Sequence, residues 1–343
     1  MRGMVKEWLL RAGLMAASLL VALALAEVTV RTFYPVLDGR GNVTLDGRPI
    51  KEWFAPGSVY RQVSNEYDAV TTITGKGHRV PGSDGSPEVV FVGDSFTYGY
   101  GLKDDETFAS IYCAGRRVAC ANLGLPGSGT ARQVARLDEF LRDWQWTPKE
   151  VKLFFFGMSG SLSAGNDFVD NYNYGRWLKA QSSGAVAPPG GVPRRTSPST
   201  LTGRLIGWQS SLLEHSHMMR RAKFHWGPLL KSLVVNDPGE ERMAEALAHT
   251  GRGLTELDSL SRRAGFDYSI YLIVPVQDII RRTHTHTLAA LNRVSPKPAV
   301  STAPLFADAP QDFYYAYDGH LNPRGSRRVA ELLLSFENDT SNR

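Results

Sequence analysis

The sequence predicts an α/β protein whose parallel central sheet is covered by helices on both faces, behind an N-terminal membrane helix. Three observations predict it. Short, mostly apolar runs (Glu88 to Val92, EVVFV; Val151 to Phe156, VKLFFF; Tyr268 to Val274, YSIYLIV) read as strands buried on both sides. Stretches with apolar residues at helical spacing separate these runs, and that alternation implies parallel crossovers. The chain also opens on a long, almost wholly apolar stretch. At 343 residues, with 42% hydrophobic and 21% charged residues, there is material for one large domain or two ordinary ones, each with a real core.

The N-terminus comes first. Arg2, Lys6 and Arg11 precede Ala12 to Ala26 (AGLMAASLLVALALA), in which Ser18 is the single polar residue. With Trp8 to Leu10 the span reaches about 20 residues, the length that crosses a bilayer. The basic residues keep their end in the cytoplasm and send the rest out. Two readings fit, an uncleaved anchor of the inner membrane or a signal peptide cut after Ala24-Leu25-Ala26 and a secreted product. The span runs directly into EVTVRTFYP with no polar, flexible cleavage region, which favours the anchor. Either way residues 27–343 are expected in the periplasm or outside the cell. Two cysteines, Cys113 and Cys120, fit that compartment as a disulfide or stand as two buried thiols; two are too few for a cysteine zinc site. The net charge of +5 is scattered, and no basic cluster is interleaved with aromatics, so a nucleic-acid partner is not expected.

Residues 27–86 read as an extended lead-in that wraps the following domain, rich in Gly, Asp, Asn and Pro from residue 36 on. From residue 87 to 340 the pattern becomes regular. Thr107 to Cys113 reads as a helix, Val118 to Leu123 as a strand, and Ala131 to Trp144 as an amphipathic helix through Val134, Leu137, Phe140 and Leu141. Gln181 to Thr200 is rich in Pro, Gly and Ser and reads as an inserted loop or linker. One or two helices follow in 201–235, then a helix over Glu240 to Ala264 closed by Gly265, and a last amphipathic helix over Gly325 to Phe336.

Four groups carry chemistry. Ser95, in Gly93-Asp94-Ser95, sits where a strand ends and a helix begins, the ligand-binding edge of an open α/β sheet. His320, in Asp318-Gly319-His320, is placed to take a proton from a Ser hydroxyl, with Asp318 to accept the other imidazole N–H. Taken alone, each triplet is equally a turn or an ordinary loop His with an N-cap Asp. Gly127, in NLGLPGSG, follows the second strand with a backbone N–H to offer an oxyanion. Asn166, in GNDF, follows the third with a side-chain amide.

In this order the four blocks resemble the SGNH/GDSL hydrolase family, whose name records Ser, Gly, Asn and His. The matches are Ser95 in GDSFTYGYG, Gly127 in NLGLPGSG, Asn166 in GNDF, and His320 with Asp318 in DGHLNP, across residues 86–336. The resemblance implies a flavodoxin-like α/β/α sandwich and hydrolysis of carboxylic esters with no metal and no cofactor. It also implies a catalytic set of Ser95, His320 and Asp318, and an oxyanion hole from Ser95, Gly127 and Asn166. Lead-in and anchor look like those of bacterial envelope members, so the expected substrate is an O-acyl group on envelope or extracellular carbohydrate, or a lipid ester. Two departures stand out. Asp318 precedes His320 by two residues where many members have three, and Gly157 to Ala164 separate the third strand from its Asn block.

Two other functions fit the same residues. An O-acetyltransferase of a cell-envelope polysaccharide would differ only in what resolves the acyl-enzyme, and a catalytically silent assembly protein would keep the fold. Weaker signals have plainer readings beside them. His284 and His286 have metal-ligand spacing but lack a third ligand, and read as a solvated loop. His215, His217 and Arg220 lie near an amphipathic helix; Asp278 follows a strand. Trp144, Trp146, Trp177 and Trp208 suit sugar stacking or a core.

Overall fold

The strand-forming runs lie where an α/β fold needs them, and the sheet order follows from their burial. The computed structural model describes residues 2–33, 43–44, 55–82, 86–158, 166–182, 216, 218–219 and 240–341. The chain forms two units, Met1–Asp38 with Pro188–Val235, and Gly39–Ala187 with Asn236–Arg343.

In the first unit, helix α1 (Arg2–Phe33) is long and apolar enough to cross a membrane, with Leu14, Met15, Leu19 and Leu20 exposed along it. It continues past Ala26 to Phe33, through residues assigned above to the lead-in. Glu27 receives the Ser216 hydroxyl at 2.7 Å and the Met218 N–H at 3.0 Å. Apart from Ser216, Met218 and Met219, the expected helices of 201–235 lie outside the described residues, as do 183–200 of the expected linker.

The second unit holds two sheets. A small antiparallel one joins β1 (Val43–Thr44), β2 (Val59–Val63) and β3 (Asp68–Thr72). The main sheet runs β4-β6-β5-β7-β8-β9, from β4 (Arg79–Gly82), β5 (Val89–Gly93), β6 (Cys120–Asn122), β7 (Glu150–Phe156), β8 (Asp267–Ile273) and β9 (Ala299–Ser301). β4 pairs antiparallel at one edge; the other five strands are parallel. Numbered along the chain, those five lie in the order 2-1-3-4-5, the flavodoxin-like arrangement. Every residue of β5 is buried, as a strand covered on both faces requires. So 27–86 is not a plain extended lead-in: it ends α1, builds a three-stranded sheet and supplies an edge strand.

Between the strands run α2 (Ser95–Tyr98), α3 (Phe108–Arg116), α4 (Thr130–Trp144), α5 (Asp167–Ser182), α6 (Glu240–Ala264), α7 (Val276–Ile280), α8 (His284–Val294) and α9 (Pro323–Ser341). α3 packs on α9, while α4, α5 and α6 pack on one another with α8 against α6. Right-handed crossovers that run one way from β5 to β6 and the other way from β6 to β7, β8 and β9 put these two groups on opposite faces, which makes the α/β/α sandwich. Thr107 caps α3 by accepting the Ser110 N–H at 3.1 Å. α4 buries Val134, Leu137 and Leu141 on one side. Cys113 on α3 and Cys120 on β6 form a disulfide. The strand expected over 118–123 contracts to three residues, and the helix expected from Gly325 begins at Pro323 behind its Asn322 cap.

Candidate functional site

Because the crossovers diverge after β5, the sheet leaves a crevice at the C-terminal end of that strand. Gly93 closes β5. A Cβ there would lie 2.6 Å from the Phe154 carbonyl and 2.1 Å from Thr97 Oγ1, so only glycine allows the turn from sheet to helix. Asp94 then caps α2 by accepting the Phe96 N–H at 2.9 Å. Ser95, half-buried, opens α2. As the first residue of the helix its N–H has no intrahelical acceptor, which leaves it available to a ligand.

His320 reaches Ser95 from the far end of the chain. Asn322 caps α9 by accepting the Arg324 and Gly325 N–H groups at 3.0 and 3.1 Å. The preceding loop turns on Gly319, at φ +86°, and closes with the Tyr315 N–H donating to the His320 carbonyl at 2.8 Å. His320 Nε2 lies 2.8 Å from Ser95 Oγ. Its Nδ1 pairs with Asp318 Oδ1, while Asp318 Oδ2 accepts the Tyr67 hydroxyl at 3.1 Å. Phe96 and Tyr100 flank the imidazole at 4.8 and 5.1 Å between ring centroids. Burial pushes the Asp318 carboxyl upward, but its hydrogen bond and attraction to His320, with the Tyr67 bond, outweigh it and hold the carboxyl below its ordinary value. Asp-x-His spacing therefore brings carboxylate and imidazole together, the departure noted above notwithstanding.

Gly127 and Asn166 are placed by different means. Beyond β6 the chain stays in register with β5, the Leu123 N–H donating to the Phe91 carbonyl and the Leu125 N–H to that of Gly93, both at 2.8 Å. Two residues on, Gly127 stands in the turn that follows. It is exposed, at φ +68°, and a Cβ there would meet nothing within 4 Å. Gly124 is the packing glycine of this block, since a Cβ there would lie 2.2 Å from the Tyr98 amide nitrogen. Asn166 is fully buried and caps α5, its Oδ1 accepting the Val169 N–H at 3.2 Å. The stretch 159–165 lies outside the described residues.

A buried acidic group sits beneath the serine. Burial pushes Asp94 up to about 7, against the pull of the Phe96 N–H and His320. Asp167 is pushed well above its ordinary value by burial and then by repulsion from Asp94 and Asp170, against the Gln133 amide, which donates to it at 3.4 Å. Burial also takes Asp170 up to about 6 against Arg132.

Three contributors carry no motif. Arg79, fully buried in β4, donates to the carbonyls of Tyr98, Gly99 and Leu102 and pairs with Asp104, pinning the turn behind α2. Glu66 and Tyr67 reach the Asp318 loop from the β2–β3 turn. A lone buried Arg and a polar turn leave no trace in spacing or composition. Among the weaker signals, His284 and His286 open α8 rather than a loop, and Asp278 is buried in α7. Trp144 packs on Phe140 and His78, Trp177 stacks on Tyr174, and Trp146 donates to the Pro87 carbonyl. His215, His217, Trp208 and Arg220 lie outside the described residues.

No protein-family model and no curated protein matches the sequence. Solved structures give shallow overlaps. A Lactobacillus plantarum protein is similar at 15% identity over 75% of this chain and 99% of its own, with a TM-score of 0.38. An acetyl xylan esterase from the rumen bacterium Butyrivibrio proteoclasticus is similar at 10% identity over 82% and 68%, with a TM-score of 0.37. A catalytic mutant of an acetylxylan esterase from Geobacillus stearothermophilus is similar at 14% over 73% and 94%, with a TM-score of 0.35. Overlaps this shallow leave the fold to its own sheet order and the site to its own geometry.

Proposed function

We propose that this chain is a serine esterase that removes O-acyl groups from carbohydrate through an acyl-enzyme on Ser95. The observation that carries the reading is the 2.8 Å contact of His320 Nε2 with Ser95 Oγ, with Nδ1 held by Asp318. An Nδ1–H bonded to a carboxylate leaves Nε2 with its lone pair toward the hydroxyl, the tautomer a general base needs. Ser95 Oγ attacks the acyl carbonyl as its proton moves to Nε2. The negative charge on the carbonyl oxygen is met by the N–H groups of Ser95 and Gly127, with the Asn166 amide as third donor. His320 returns the proton to the leaving sugar oxygen. Water, deprotonated by the same nitrogen, then releases the acid and restores the hydroxyl. The four-block resemblance supplies the carbohydrate ester as substrate class.

α1 fits the reading as a signal anchor, its basic residues Arg2, Lys6 and Arg11 on the cytoplasmic side and the esterase unit outside. The Cys113–Cys120 disulfide suits that compartment. Ser95→Ala should abolish turnover of p-nitrophenyl acetate and release of acetate from an acetylated polysaccharide, with an unchanged thermal melt. Turnover retained in that variant would remove Ser95 from the mechanism.

A further inference from the structure

The turn between β2 and β3 is built for rigidity. Ser64 Oγ accepts the N–H groups of Glu66 and Tyr67 at 3.0 and 3.2 Å, and the Ser64 N–H donates to the Tyr67 carbonyl at 2.8 Å. The side chains of Glu66 and Tyr67 therefore leave the turn in set directions, and both end on the loop that carries Asp318. The Glu66 carboxylate accepts the Asp318 N–H at 2.8 Å and the Tyr317 N–H at 3.1 and 3.2 Å. The Tyr67 hydroxyl donates to Asp318 Oδ2, the oxygen that His320 does not use.

The hairpin is seated as well as aimed. Tyr67 is buried, its ring 5.0 Å from that of Tyr315 and 6.1 Å from that of Tyr100. Gln62 on β2 accepts the Gly101 N–H at 2.7 Å, and Tyr315 donates to the Gly101 carbonyl at 2.9 Å. A Cβ on Gly101 would lie 2.8 Å from the Tyr67 ring, so the fit leaves no slack. Burial, then the nearby Asp318 carboxylate, pushes the Tyr67 hydroxyl upward and keeps it a donor.

We propose that the β2–β3 turn is a positioning clamp, in which Tyr67 and Glu66 hold Asp318 in the orientation that His320 needs. This rests on the serine esterase reading, and it makes the segment before the main sheet a working part of the site. Gly319 gives the Asp318 loop freedom to turn, and Tyr67 takes that freedom away. Around the His320–Asp318 pair stand Asp94 beneath the serine, Glu66 and Tyr67 on the hairpin, and Tyr100 and Tyr315 alongside.

The test uses the full chain. Tyr67→Phe removes one hydrogen bond to a carboxylate, so kcat for p-nitrophenyl acetate should fall about tenfold with KM within about twofold. Asp318 loses a bond that favours its charged form, so the acidic limb of kcat/KM should move to higher pH by about half a unit. Glu66→Ala should speed amide hydrogen exchange at Tyr317 and Asp318 roughly tenfold, and Glu66→Gln, which keeps an acceptor, should restore protection. Wild-type kcat and an unmoved limb in Tyr67→Phe would overturn the clamp. So would a fall in kcat that tracks a lowered melting temperature with the limb unmoved. If the wild type turns over no ester and a fluorophosphonate fails to label Ser95, the esterase reading falls. Exchange in Glu66→Ala then decides the clamp by itself, lost protection upholding it and kept protection ending it.

Discussion

Replacing Asp318 by Asn separates the charge of the carboxylate from its shape. Both oxygens are committed, Oδ1 to His320 and Oδ2 to the Tyr67 hydroxyl at 3.1 Å. An amide has one acceptor oxygen and therefore two ways to sit. With the NH2 toward His320, the ring must move its proton to Nε2, and Ser95 then faces a donor that cannot take its proton. With the oxygen toward His320, the NH2 donates to the Tyr67 oxygen and the tautomer survives, but the negative charge opposite the imidazolium is gone. At about 4 Å and an effective dielectric near 20 that charge is worth about 4 kcal/mol, roughly a thousandfold in rate. The first arrangement costs roughly ten-thousandfold by analogy with other triads. The expected result is therefore a fall in kcat of roughly a thousand- to ten-thousandfold against p-nitrophenyl acetate, with a near-native thermal melt. A loss smaller than tenfold would refute the pairing of Asp318 with His320 as the working arrangement. The pH sign follows from the same contacts. Asp318 is held below its ordinary value, so its contribution to wild-type stability is present above that value and is lost as pH falls through the depressed one. The Asn variant should lose this acid limb of stability.

Two other outcomes test the frame around the serine. Arg79→Met leaves the buried carbonyls of Tyr98, Gly99 and Leu102 without their donor, and should cost about 3–5 kcal/mol in urea unfolding; a cost below about 1 kcal/mol would show that they find other partners. Asp94→Asn keeps a capping oxygen but cannot ionise. Asp94 is raised from 3.8 to about 7, so its contribution to stability is full below 3.8 and is lost as pH rises through about 7. The variant should be relatively more stable at pH 7 than at pH 4, by about 4 kcal/mol at most, in urea midpoints compared across that range. Parallel curves for variant and wild type would show that Asp94 ionises freely.

What could be read in advance divides by physical cause. Strands buried on both faces announce themselves, because every residue of VVFVG and nearly all of VKLFFF must be apolar; Lys152 is tolerated through its ion pair with Glu150 at 2.5 Å. Ser95 and His320 were legible because turns and caps constrain their neighbours: Gly93 by steric contact, Gly319 by its φ, and Asn322-Pro323 as a helix start. Glu66, Tyr67 and Arg79 were not. Their roles come from contacts across 251, 252 and 19 or more residues of sequence, and a hydrogen bond to a distant carbonyl imposes no local pattern. The 27–86 segment misled for a related reason. Short strands that pair at a sheet's edge need little hydrophobicity, so Gly, Asp and Pro hide them among turns.

The two residues proposed as auxiliary oxyanion donors make the same division inside the site. Gly127 follows a strand in register: β6 pairs in parallel with β5 and the chain continues in phase to Leu125, whose N–H meets the Gly93 carbonyl two residues before Ser95. Any side chain there would stand in open space, so what glycine contributes is a backbone at φ +68° rather than room. Asn166 follows from anchoring instead. Its Oδ1 is spent on the Val169 N–H, and Asp167 beside it accepts the Gln133 amide of α4 at 3.4 Å. A helix start held at both points takes its place from those contacts rather than from sequence distance to β7.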